Sequence, residues 1–178
     1  MSGRNITFPY DRNKATQAIL WLLHRNGGAM DKVKLVKLFY FADWNHLIRY
    51  GRPIVGGKYY AMKLGPASSE LLNHIEETTS DFAMEQYRVL AKTIANEELL
   101  SESDIEILDE VYDKYHSCDS WKLVDITHHF KAWDKNYPDK DANTSYLLPY
   151  EDFFLDTEDK SMLDIIREDQ EARDLLMD

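Results

Sequence analysis

The chain has 178 residues, 44% of them hydrophobic and 30% charged, the composition of a folded globular protein and not of a disordered or low-complexity one. One cysteine, Cys118, excludes a disulfide scaffold and a cysteine-only zinc site, and no apolar run nears the roughly 18–20 residues that span a bilayer. The net charge of −11 disfavours nonspecific binding of nucleic acid.

In chain order, residues 1–10 read as an arm without strong periodicity, and Met1–Asn5 carries no signal-peptide core, so a cytoplasmic protein is expected. Ala15, Ala18, Ile19, Leu22 and Leu23 fall at helical spacing, and Asn26-Gly27-Gly28 ends that helix. Asp31 caps a second helix, about 31–50, that is apolar on most sides and keeps only a thin polar stripe of Lys34, Lys37 and Asn45. A helix so apolar all round is expected at the centre of the molecule. Gly51-Arg52-Pro53 closes it. Residues 54–64 predict a β-hairpin with Gly56-Gly57 as the turn and Tyr59, Tyr60 and Met62 as strand residues. Gly65-Pro66 breaks the hairpin, and Pro66 is placed in the first turn of a helix running to about Thr79.

Residues 82–96 leave strand and helix both open. Ser101 with Asp104 reads as a helix start, a short helix covers about 120–130, and 135–145 is a polar loop. Thr157 caps a last helix, 158–177, whose apolar stripe is Met162, Ile165, Ile166, Ala172, Leu175 and Leu176. That stripe is expected to dock on the domain's own core or to bind a partner, since left in water it exposes more apolar surface than monomers usually carry. The expected fold is mainly α with a small β element (α+β). It forms one domain over 1–178, with a core at about 12–134 and a C-terminal extension at about 146–178.

Charge is unevenly placed. Residues 1–65 hold 11 Lys and Arg against three acids, a net +8, and residues 66–178 carry a net −19. These regions either pair within the fold or present two poles to partners.

The chemistry-bearing motifs fail on spacing. Gly51-x-x-x-x-Gly56-Gly57-Lys58 misplaces the lysine of a phosphate-binding loop, and Asp139-x-Asp141-x-Asn143 lacks both the glycine and the glutamate that close a calcium loop. The six histidines form no helical ligand pair, and adjacent His128-His129 diverge by about 100° on a helix. No catalytic metal and no cofactor is expected.

Leu38-Phe39-Tyr40-Phe41-Ala42-Asp43-Trp44-Asn45-His46, then Gly51-Arg52-Pro53, Tyr60-Ala61 and Gly65-Pro66, and later Trp121-Lys122-Leu123, Thr127-His128 and Trp133, together resemble the Panacea domain of the SocA-like antitoxins. The resemblance covers roughly 14–134. It implies a mostly helical domain, common on prophages, that neutralises a cognate protein toxin by direct binding, and in one case an adaptor that delivers its toxin to a protease. On this reading the signature residues hold the scaffold. The toxin-binding element is left among the basic early helices (Lys34, Lys37), the aromatic hairpin (Tyr59, Tyr60) and the acidic terminal helix (Ile166, Glu168, Glu171), the last suited to a basic toxin. A protease or unfoldase is the alternative partner; no membrane and no nucleic acid is expected. A hydrolase or nuclease using Asp43, His46 or His128 requires those groups to converge in an accessible cleft.

Overall fold

The computed structural model describes residues 5–177; the signal-peptide reading of the first residues rests largely on residues 1–4, which lie outside that range, as does residue 178. Its elements, in order, are α1 (Arg12–Arg25), β1 (Ala29–Asp31), α2 (Lys32–Tyr50), β2 (Tyr59–Met62), β3 (Gly65–Ser68), α3 (Ser69–Glu76), β4 (Phe82–Glu85), β5 (Arg88–Ala91), α4 (Glu102–Tyr115), α5 (Ser120–His128), α6 (Lys131–Asn136), β6 (Ser145–Leu147) and α7 (Ser161–Met177). A 3₁₀ turn at Glu97–Leu99 and a longer one at Tyr150–Asp156 complete it. The protein is mainly helical with two small antiparallel sheets, ordered β1-β5-β4 and β3-β2-β6.

Helix α2 is the hub. Asp31 accepts from Val33 N and Lys34 N at its start, and Gly51 ends it at φ 78°, the left-handed conformation that favours glycine. Between these caps Leu38, Phe39, Tyr40, Phe41 and Ala42 are all buried, with α3, α4, α5 and α7 among the surrounding elements. Tyr40 sits within 6 Å, ring to ring, of Tyr59, Phe130 and Phe153, so aromatic edges from three segments meet on one face of the helix.

Several expectations need correction. The first hairpin is Tyr59–Met62 against Gly65–Ser68, with its turn at Lys63-Leu64 and Ala61 opposite Pro66. Pro66 therefore lies in a strand, tolerated because β3 is an edge, and α3 begins at Ser69 with Ser68 as its cap. Gly56-Gly57 is not a turn of that hairpin but a point of close approach. A Cβ on Gly56 would lie 2.5 Å from the Pro9 carbonyl oxygen, because the N-terminal arm runs along this loop and hydrogen-bonds to it through Gly57 N–Phe8 O and Asp11 N–Val55 O.

Residues 82–91, left open by the sequence, form a hairpin turning at Gln86-Tyr87, with Gln86 at φ 57°. The polar loop after α6 ends in an unexpected strand, β6, which pairs with β2 and so ties the C-terminal extension into the same sheet.

Helix α7 departs most. Leu163 and Ile166 are buried and Met162 packs half-buried near Gly51, but Ile165, Leu175, Leu176 and Ala172 face solvent. The helix docks through two residues of the predicted stripe, Met162 and Ile166, together with Leu163 from outside it, and the rest of the stripe stays in solvent, so only its first half docks.

Candidate functional site

The signature residues of α2 each secure a neighbouring segment. Asp43, fully buried, accepts from Ile54 N at 2.7 Å, Val55 N at 3.1 Å and the Tyr59 hydroxyl at 2.7 Å. Burial pushes its carboxyl up to about 6, against the pull of those donors toward the charged form. One turn later His46 contacts the Arg52 carbonyl at 2.7 Å, Ser103 Oγ at 2.9 Å and the Asp104 carboxylate at 3.3 Å. Trp44 Nε1 donates to the Phe153 carbonyl, pinning the 3₁₀ turn of the C-terminal extension to α2.

A second cluster grips the β2–β3 hairpin. Trp133 Nε1 donates to the Met62 carbonyl at 2.8 Å, His128 Nε2 lies 3.0 Å from the Lys63 carbonyl, and the two rings stack with centroids 4.0 Å apart. Lys140 lies over the outer face of Trp133, its Nζ 4.2 Å from the ring centroid. Thr127 is buried against Gly65, where a Cβ would collide with Thr127 Oγ1 and lie 2.9 Å from Lys37 Nζ. The glycine is required because helix α5 and the lysine of α2 both close on the strand.

Asp43, His46 and His128 are thus separately engaged: the first with the 54–59 segment, the second with Arg52 and the start of α4, the third with the hairpin tip. Burial lowers the pKa of both histidines. Among the described residues no three His, Cys, Asp or Glu side chains gather to hold a metal ion.

Other sequence-selected positions divide by exposure. Tyr59 and Ile166 are buried, so they cannot form a partner surface in this conformation; Lys37 is buried too, at the side of a groove beside the hairpin. Lys37 spends one donor on the Pro66 carbonyl at 3.0 Å, and burial brings its ammonium down to about 7. Lys34 is tied to the His116 carbonyl. Tyr60 is half-buried, and Glu168 and Glu171 are exposed. Trp121 is 70% exposed, so this one signature residue does not hold the scaffold through burial. The buried, uncompensated Lys37 was missed as a buried group, since a lysine on a polar stripe reads as solvated; only its place on an otherwise apolar helix hints otherwise.

The antitoxin SocA-like, Panacea domain family matches residues 35–134, more than half the chain. The chain belongs to that family. The matched span runs from the first turn of α2 into α6, so the SocA-like region contains the hairpin and most of the two clusters, but not Phe153 or Lys140, and omits α1, β6 and α7. No curated protein and no solved structure matches the chain. No described helix is long and apolar enough to cross a membrane.

Proposed function

We propose that this SocA-like protein is a cytoplasmic antitoxin that neutralises a cognate protein toxin by direct binding, without chemistry of its own, and that the outer face of α7 is the grip. The observation that carries the reading is the unburied half of that helix. Leu175 and Leu176 are 79% and 88% exposed, and Ile165 and Ala172 complete a solvent-facing apolar line. Glu168, Asp169 and Glu171 interleave with it, giving an apolar stripe with acidic borders. Such a helix suits an apolar groove with a basic rim, the helix-in-groove mode of recognition. The family supplies the expectation of a protein partner, and the separate engagement of Asp43, His46 and His128 supports a role without catalysis.

The test is co-expression with the protein encoded by the adjacent gene. Growth should be rescued by the parent and lost with Ile165→Asp/Leu176→Asp, while the purified variant keeps the parent melting temperature. Full rescue by the variant rejects α7 as the grip. Failure of the parent to bind the toxin in purified form, with rescue that depends on a cellular protease, favours the adaptor alternative.

A further inference from the structure

The groove between α2 and the hairpin is unused by either reading above. It encloses about 470 Å³. One wall is apolar, built by Val33 and Val36 from α2, Met62 and Leu64 from the hairpin and Leu72 from α3, and the facing side is polar, with Asn143, Thr144 and Ser145 leading into β6. Lys37 lines it from α2, 2% exposed, beside the close-set Gly65. An ammonium has three donors, and the Pro66 carbonyl takes one of them at 3.0 Å. Among the described residues no carboxylate pairs with it, although buried lysines are rarely left without a counter-charge.

The other charged groups lining the groove are Lys32, which pairs with Glu76, and the exposed Lys63, which has no ion pair among the described residues. In an acidic chain this is a cation-lined pocket with an apolar wall and an unmatched buried donor at its side. Lys37 is the one buried cation of the groove among the described residues, Lys32 being paired and Lys63 exposed, so its apolar side offers too few buried donors to replace the hydration of a phosphate dianion. A monocarboxylate on an apolar stem meets both features: charge-assisted hydrogen bonds to the lysine and burial of the stem.

We infer that this groove binds a carboxylate carried on a short apolar chain, with Lys37 as the anchor. Two sources share that chemistry, a free aliphatic acid and the C-terminal residue of a polypeptide ending in an apolar side chain. The site stands whether or not α7 grips a toxin.

The experiment follows the Lys37 side-chain resonances of the full chain by NMR during titration with hexanoate, with acetyl-Ala-Leu-Leu as its free acid, and with the same peptide as its C-terminal amide. A carboxylate should saturate the shift and raise the lysine's titration midpoint by about one unit or more. Read instead on the methyl resonances of the groove residues Val36 and Leu72, binding should weaken roughly tenfold or more in Lys37→Met. Leu64→Asp, at the exposed hairpin tip, should weaken it by repulsion with the melting temperature unchanged. Binding of hexanoate alone assigns a small-molecule acid, and binding of the peptide acid but not hexanoate assigns a chain terminus. The inference is overturned if neither acid gives a saturable shift at roughly 10 mM, if the amide binds as well as the acid, or if Leu64→Asp, folded as the parent, binds both acids unchanged.

Discussion

Asp43 shows how a residue with catalytic chemistry serves as a structural clasp. Its carboxyl holds three donors from the 54–59 segment, yet it is buried deeply enough for its pKa to rise from 3.8 to about 6. A raised carboxyl binds protons in the folded state that the unfolded state has released. Its contribution therefore favours folding below about pH 4 and is lost as pH climbs to 6, an effect on the order of 3 kcal/mol at most. Asp43→Asn keeps an acceptor for the two backbone amides, and the Tyr59 hydroxyl has a rotor that lets it accept from the new amide. The variant should lose the part of the pH dependence between pH 4 and 6 that the parent shows in chemical denaturation; an unchanged profile would mean Asp43 titrates normally. Four residues earlier Phe39 has no polar duty and is fully buried. Phe39→Ala should cost about 3–5 kcal/mol, read as a fall in denaturation midpoint at constant slope.

At the level of elements, α7 divides into a docked and a free half, and substitutions should separate them. Ile166 is 6% exposed and lies near Gly51, where α2 ends. Ile166→Ala should cost about 2–4 kcal/mol by leaving a void under the helix. Leu176→Asp, at a position 88% exposed, should leave the melting temperature within a degree or two of the parent.

The same helix shows where the sequence was legible and where it was not. Elements marked by local chemistry came through: Asp31 and Gly51 bound α2, and Ser101 with Asp104 forms a reciprocal capping box on α4. The helical rhythm of α7 was also readable, but the sequence carries two apolar faces and does not say which meets a partner surface. Strand β6 was missed because three residues in a polar loop become a strand only through pairing with β2, over 80 residues earlier. Gly56 and Gly65 signal backbone freedom, whereas what approaches them, Pro9 in one case and Thr127 with Lys37 in the other, is settled by tertiary packing. Lys37 could not be read as buried for the same reason.

Across the whole molecule, the uneven charge of the sequence is largely resolved inside the fold. Arg12 pairs with Glu77, Lys14 and Arg52 with the buried Asp104, Arg25 with Asp109 and Asp113, Lys32 with Glu76, and Arg49 with Glu106 and Glu110. Bases of the first third thus meet acids at the end of α3 and along α4, so of the two options the sequence leaves open, pairing within the fold is mostly the one realised. The acid excess that remains concentrates toward the C-terminal end, where α7 alone carries five acids and two arginines, each arginine paired within the helix. A basic partner approaching α7 is therefore attracted over distances comparable with the Debye length, about 8–10 Å at physiological salt, and the apolar stripe acts only on contact. These two terms separate experimentally. Raising salt from about 0.05 to 0.5 M should slow association of the toxin several-fold while changing dissociation much less, because long-range steering is screened and short-range burial is not. Glu168→Gln/Glu171→Gln should reproduce the slower association at low salt and flatten the salt dependence. The apolar variant Ile165→Asp/Leu176→Asp should instead accelerate dissociation. Salt-independent association with the parent protein would show that the acidic borders of α7 do not face the partner, and the binding surface would then have to be sought elsewhere on the molecule.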